Sequence, residues 1–167
     1  MKNTVKRTAL LGLFSAVAIV FAYIEVLLPP LLTAIPGIKL GLPNVVIVFM
    51  LYRRGAGEAI AVSLVRILAV SMLFGNFASF AYSIAGGALS LLAMIVLKKM
   101  NFLSHVGVSV AGGVLHNVGQ ILMAMLLLGT AELGYYLVVL AVTGTVAGIL
   151  IGICGGIAIS RVPDKYL

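Results

Sequence analysis

Long apolar stretches alternate with short polar turns along the whole chain, and this alternation predicts membrane-spanning helices. We place six helices, at residues 9–28, 43–52, 57–74, 77–97, 106–128 and 133–160. A helix needs about 20 largely apolar residues to cross the hydrocarbon core, and all but the second stretch approach or exceed that length. The first stretch is longer than the apolar region of a signal peptide, which has roughly 7–15 residues. We therefore expect it to stay in the protein as a membrane span and not to be cleaved.

The second helix is too short to cross a bilayer by itself. Its ten residues, 43–52, give about 15 Å of helix, which is about half of a hydrocarbon core of roughly 30 Å. It follows an apolar loop, residues 31–42, that contains Pro36, Gly37 and Lys39. Either this loop packs into the membrane to complete the crossing, or the segment is a half-helix. Interrupted helices of this kind often border binding sites in transporters.

Composition excludes a soluble globular protein. Only 9% of the residues are charged and 63% are hydrophobic, whereas soluble domains carry about 25% charged residues. We therefore predict a single integral membrane domain over residues 1–167. The predicted fold is all-α, a polytopic bundle of six transmembrane helices in which the second helix is short.

Basic residues mark alternate turns between the helices and so predict the orientation. Nine of the eleven Lys and Arg residues form four clusters: Lys2/Lys6/Arg7, Arg53/Arg54, Lys98/Lys99 and Arg161/Lys165. The turns near Gly75 and Gly129 contain no Lys or Arg. The positive-inside rule places both termini in the cytoplasm of a multi-pass protein of the cell membrane. The net charge of +7 suits contact with anionic membrane lipids, and without a basic stripe or an aromatic platform we expect no nucleic-acid binding.

Polar side chains within the predicted spans are candidates for function. Arg66 lies near the middle of the third span, where an Arg costs roughly 2.5–3.5 kcal/mol on insertion scales and needs a partner. One interpretation is structural: Arg66 pairs with Glu25 or with backbone carbonyls and fixes the bundle. The other is a ligand pocket that opens outward, in which cations and amides bind a carboxylate or phosphate. Its predicted ligand-binding residues are Lys39, Asn44, Arg66, Asn76, Tyr82, His116, Asn117 and Gln120.

The sequence lacks the residue clusters that common enzyme chemistry requires. Its four carboxylates are Glu25, Glu58, Glu132 and Asp164, and no two are close in sequence. Magnesium–diphosphate chemistry needs clustered carboxylates, and neither a phosphate-binding loop nor a nucleophile–base arrangement is present. We therefore expect no catalytic residues, no bound metal and no cofactor in this chain.

Glycine recurs every fourth residue along the sixth span, at Gly144, Gly148, Gly152 and Gly156. In lipid, helices associate through close backbone contact, which glycine permits. We interpret this face as a packing surface, within the bundle or against a partner helix. A surface on which helices slide during gating is the alternative.

Several segments resemble the substrate-binding S components of energy-coupling factor transporters. They are the small-residue first helix (Ala9, Gly12, Ala16, then Ala18 and Ala22), residues 38–44 leading into the short helix, and residues 54–59. Residues 39–44 and the Gly-Gly-Val-Leu-His-Asn segment at 112–117 also resemble the Gx transporter family, which is also called heptaprenyl diphosphate synthase component I. The resemblance covers nearly the whole chain.

The resemblance implies a membrane transport subunit that binds a small anionic solute from the outer side. In S components, small residues of the first helix dock on a transmembrane T component, and two partner ATPases use ATP to drive uptake. The resemblance leaves two candidate pairs of docking residues. Gly12 and Ala16 lie nearer the cytoplasm, where docking is expected, whereas Ala18 and Ala22 match the Ala-x-x-x-Ala motif of S components. The alternative is a non-catalytic membrane subunit of heptaprenyl diphosphate synthase, with a soluble prenyltransferase subunit as its partner, or an accessory protein of isoprenoid or quinone metabolism.

Overall fold

The computed structural model describes residues 2–27, 41–163 and 165, and within these residues all regular secondary structure is helical. A five-residue 3₁₀ helix, Glu132–Tyr136, precedes the last helix. The six α-helices are α1 (Lys2–Leu27), α2 (Asn44–Arg53), α3 (Ala56–Phe74), α4 (Phe77–Met100), α5 (His105–Leu128) and α6 (Leu137–Arg161). Each predicted helix is present, and α1 begins seven residues earlier than predicted because the polar amino-terminal residues continue the helix. The predicted loop at residues 31–42 lies outside the described residues up to Leu40.

Five of the helices are long and apolar enough to cross a membrane, and the protein is a multi-pass membrane protein. The exception is α2, which has ten residues. Large aliphatic side chains cover the outer faces of the long helices; Met72, Leu126 and Val138 are each at least 73% exposed. Such surfaces are typical of contact with lipid, because exposing apolar side chains to acyl chains is not unfavourable, whereas exposing them to water is.

The short helix α2 lies at the centre of the bundle. Its residues Val46 to Leu51 are all buried, on every side of the helix, and they form the core together with residues of α1, α3, α4, α5 and α6. A helix that is apolar all round must be enclosed by other helices or by lipid. Lys98 of α4 caps the carboxyl end of α2, since its Nζ donates to the Leu51 carbonyl at 2.6 Å.

The glycine face of α6 packs against α5. A Cβ added to Gly148 would lie 2.5 Å from the Val110 Cα, and one added to Gly152 would lie 2.7 Å from the Val106 Cα. Gly144 contacts the Asn117 side chain, and Gly156 contacts His105. Because the obstructing atoms at Gly148 and Gly152 belong to the backbone, only glycine allows these helices to approach so closely.

An ion-pair cluster joins α1 to the start of α3. The Glu58 carboxylate accepts from Arg7 Nε at 2.9 Å and from Arg54 Nε at 2.7 Å. The hydrogen bond to Glu58 raises the pKa of the Arg54 guanidinium above its ordinary value. The neighbouring Arg53 donates to the carbonyls of Ile159 and Val162 at the end of α6. The basic clusters therefore also fasten helix ends to one another.

Candidate functional site

A cavity of about 80 Å³ lies where α1, α3, α4 and α5 meet the beginning of α2. A water molecule needs roughly 10–15 Å³ of such space, so the cavity has room for several waters or one small solute. Its polar lining residues come from five segments of the chain: Glu25, Asn44, Arg66, Ser71, Ser83, His116 and Gln120.

Arg66 supplies the positive charge of this cavity. Its Nε is buried, and among the described residues it has no hydrogen-bond partner. The carboxylate of Glu25, on the facing part of α1, attracts the guanidinium electrostatically. A buried donor without a partner is unfavourable by about 1–3 kcal/mol. Arg66 is therefore held in a position where an additional acceptor would stabilise the protein.

Glu25 also fixes the segment that leads into α2. Its Oε1 accepts a hydrogen bond from the Gly41 backbone N–H at 2.6 Å. Gly41 has a φ of +73°, and a Cβ there would lie 3.1 Å from the Asn44 Nδ2. Glycine suits this position for both reasons, since L-residues rarely adopt a positive φ. The carboxylate thus links the carboxyl-terminal part of α1 to the segment that leads into the short helix.

The backbone N–H groups at the start of α2 are already used within the chain. Asn44, Val45 and Val46 donate to the carbonyls of residues 41, 42 and 43 at 2.8–3.1 Å. The helix dipole still places a partial positive charge at this end. Donors to a bound molecule must therefore come mainly from side chains, and Arg66 and Asn44 are among the lining residues that can donate.

Close packing of α4 on α5 brings His116 and Gln120 to the cavity. A Cβ on Gly86 would lie 2.7 Å from the His116 carbonyl oxygen and 2.8 Å from the Gln120 Cγ. A Cβ on Gly119 would lie 2.7 Å from the Ala85 carbonyl oxygen. These two glycines position the α5 side of the site, a role that sequence reasoning missed because single glycines within an apolar span carry no distinguishing signal.

The structure brings together four of the residues predicted from sequence to bind a ligand: Asn44, Arg66, His116 and Gln120 all line the cavity. The cavity also includes Glu25, which the sequence suggested only as a structural partner of Arg66, and the two serines Ser71 and Ser83. Serines are common in membrane helices, so their spacing alone did not single them out.

Four other predicted ligand-binding residues are placed differently. Asn117 is buried against α6, where its Nδ2 donates to the Leu140 carbonyl at 2.8 Å. Asn76 is exposed and caps α4, since its Oδ1 accepts from the Ser79 N–H at 2.8 Å. Tyr82 is partly buried on α4 and is not among the residues described as lining the cavity. Lys39 lies outside the described residues.

The two small-residue pairs of α1 lie on different faces of the helix. Gly12 and Ala16 are exposed, and no atom lies within 4 Å of the position that a Cβ on Gly12 would occupy. Ala18 and Ala22 are 0% and 7% exposed, respectively, and Ala22 lines the cavity. Six residues separate Gly12 from Ala18, which at about 100° per residue places the two pairs about 120° apart around the helix axis. Only the first pair is accessible to another helix.

No three His, Cys, Asp or Glu side chains come together to hold a metal ion within residues 2–27, 41–163 and 165. Glu25 and His116 line the same cavity, and a stable zinc site requires at least one more such ligand. The described lining residues offer electrostatic attraction and hydrogen bonding to a bound molecule.

The sequence model of the heptaprenyl diphosphate synthase component I family matches residues 14–157. The chain belongs to this family. The match includes every described residue that lines the cavity, and all of α2, α3, α4 and α5. No curated protein and no solved structure matches the chain.

Proposed function

We propose that the protein is the solute-binding subunit of a membrane transporter, similar to the S components of energy-coupling factor systems. It captures a small anionic solute from the outer side for uptake driven by partner ATPases. The observation that carries this proposal is Arg66, a guanidinium in the middle of a membrane helix. Its buried Nε lacks a hydrogen-bond partner among the described residues, and Arg66 lines a small cavity together with several other polar side chains.

The surroundings of Arg66 suit a carboxylate or a phosphate. Arg presents paired N–H donors that match the oxygens of planar or tetrahedral anions. Asn44 and Gln120 add amide donors, and the amino end of α2 adds partial positive charge. Because Glu25 already attracts Arg66, a bound anion shares the guanidinium with Glu25 or replaces it.

This proposal is tested by measuring thermal stability of the purified protein in lipid nanodiscs against a panel of small molecules. Acetate, succinate and inorganic phosphate represent anions, and choline and glucose are the controls. We expect a concentration-dependent rise in melting temperature with at least one anion and none with the controls, because ligands that bind the native state stabilise it. If the anions and the controls change the melting temperature equally, the proposed anion site is contradicted.

A second function is favoured by the family's description, which names a component of heptaprenyl diphosphate synthase. On this proposal the protein is a non-catalytic membrane subunit that anchors a soluble prenyltransferase. The scattered carboxylates of the sequence fit a subunit that leaves metal–diphosphate chemistry to its partner. A cavity of about 80 Å³ is too small to enclose a heptaprenyl chain.

The transporter proposal places the partner contact on the exposed face of α1 around Gly12 and Ala16. We expect Gly12→Leu and Ala16→Leu to reduce co-purification of a T component by about tenfold or more, because leucine separates helices that pack through small residues. Val146→Leu, at an exposed position of α6, is the control and should leave recovery unchanged. If all three variants recover the T component normally, the contact with the T component does not lie on this face of α1.

We further propose that both chain termini face the cytoplasm, on the basis of the basic clusters. In a Cys154→Ala background, we expect Ala131→Cys to react with a membrane-impermeant maleimide on intact cells. Phe102→Cys, in the turn after α4, should react only after the membrane is permeabilised. Both sites are exposed, so the opposite labelling pattern would invert the orientation and with it the side from which solute enters.

A further inference from the structure

A second hollow, which we name the apolar groove, lies between α3 and α4 and has a volume of about 230 Å³. Ser63 is the one polar residue among its described lining residues. Its rim is open on the lipid side, where Ile60, Leu64 and Leu92 are 40%, 47% and 65% exposed. The groove therefore accepts apolar groups, whereas the cavity beside it accepts polar ones.

Ile67 forms the boundary between the groove and the cavity. It lines both of them and is only 4% exposed. The end of its side chain packs on α4 at Gly87, where an added Cβ would lie 2.9 Å from the Ile67 Cδ1. Ile67 thus lies between the cavity that contains Arg66 and a surface that is open to lipid.

The two hollows follow one continuous face of α3. Ile60, Ser63 and Ile67 lie on the groove, and Ile67, Val70 and Ser71 lie on the cavity. Spacings of three and four residues keep these positions on the same side of the helix. From Ile60 to Ile67 the groove extends about 10 Å at 1.5 Å per residue. A molecule with a polar head and an apolar chain can therefore occupy both hollows at once.

We propose that the ligand is an amphiphile with an anionic head, which lies in the cavity at Arg66, and an apolar chain, which lies in the groove between α3 and α4. This inference rests on the anion site proposed above and adds the ligand class. The cavity alone has room for little more than a head group. Ile67 is then a specificity-determining residue, because its side chain must turn aside to let the chain pass from one hollow into the other.

The test compares short-chain and long-chain anions on protein reconstituted in lipid nanodiscs. Methyl phosphate and octyl phosphate form one pair of probes, and acetate and octanoate form the other. Ala88→Phe fills the groove, since Ala88 is an exposed lining residue of α4. Val146→Phe adds the same ring at an exposed position of α6 away from the groove and is the matched control.

We expect the octyl probe to bind at least about tenfold more tightly than its short partner to the unaltered protein and to Val146→Phe, since each buried methylene adds to affinity. Ala88→Phe should abolish this advantage and leave binding of the short probe unchanged. If the octyl advantage is absent, or is the same in Ala88→Phe and Val146→Phe, the groove holds no ligand chain and this inference is wrong.

The outcome for the short probes separates this inference from the proposed function. If methyl phosphate or acetate binds in a manner that depends on Arg66 while chain length has no effect, the anion site stands and only the amphiphile is contradicted. If neither short nor long probes bind, both proposals fail together.

Discussion

Replacing Arg66 with Gln should weaken binding of small anions by at least about a hundredfold. Hydrogen bonds to charged groups contribute about 1.5–3 kcal/mol each, and 1.4 kcal/mol corresponds to a tenfold change in affinity. Two such bonds from one guanidinium are therefore sufficient for this loss. Gln keeps an amide donor of similar reach but carries no charge. Titration of the stabilising anion into the protein in nanodiscs measures the effect.

The control for this substitution is the double variant Arg66→Gln/Glu25→Gln. The single change leaves the Glu25 carboxylate without the positive charge that attracts it, and removing one of two interacting charges inside a protein is destabilising. The double variant removes both charges, so we expect its folded yield to recover while its anion binding stays weak. Recovery of binding together with yield would assign Arg66 a purely structural role, as the partner of Glu25 that fixes the bundle.

Gly148→Leu should lower the melting temperature by roughly 10 °C or prevent folding. A Cβ at this position would meet the Val110 Cα at 2.5 Å and the Ser109 carbonyl oxygen at 2.9 Å. Backbone atoms cannot turn aside as a side chain can, so α5 and α6 must separate. Overpacking typically destabilises a protein by about 1–3 kcal/mol or more, and about 2–4 °C accompanies each kcal/mol in a chain of this size.

Gly12→Leu is the matched control for Gly148→Leu, because it makes the same chemical change on another helix. Nothing lies within 4 Å of a Cβ at Gly12, and leucine favours helix more than glycine does. We expect an unchanged or slightly raised melting temperature. Equal melting temperatures for both variants would mean that contact between α5 and α6 does not stabilise the bundle.

The positions of the helices could be predicted from the sequence because bilayer thickness determines their length. The predicted apolar runs at residues 57–74 and 77–97 are each long enough to span the membrane, and charged or glycine-containing turns flank them. The shortness of α2 was also visible, since Pro43 and Arg53 bound it closely in sequence. These features depend on local composition alone.

The faces of the helices could be predicted only in part. In a soluble protein, polar residues mark the outside, but lipid and protein interior are equally apolar, so this signal is missing. The sequence therefore left two candidate pairs on α1, and tertiary packing buries Ala18 while leaving Gly12 exposed. The same reasoning explains Asn117, which has the depth expected of a cavity residue but points to Leu140 of α6.

Arg66 was identifiable because a charged side chain inside a membrane segment is unfavourable unless it is paired or binds a ligand. The contribution of Glu25 was harder to assign, because its hydrogen bond from Gly41 and its electrostatic attraction for Arg66 involve residues that are far apart in sequence. Lys98 is a similar case: the positive-inside rule accounts for its location, whereas its hydrogen bond to the Leu51 carbonyl depends on how α2 and α4 pack. Long-range contacts of this kind require the folded structure.

The most direct test of the transport function is affinity purification of the tagged protein from its native membrane in mild detergent, followed by mass spectrometry. We predict recovery of a transmembrane T component together with two ATPases, and loss of these partners in Gly12→Leu. Recovery of a soluble prenyltransferase without ATPases would contradict transport and support the synthase subunit.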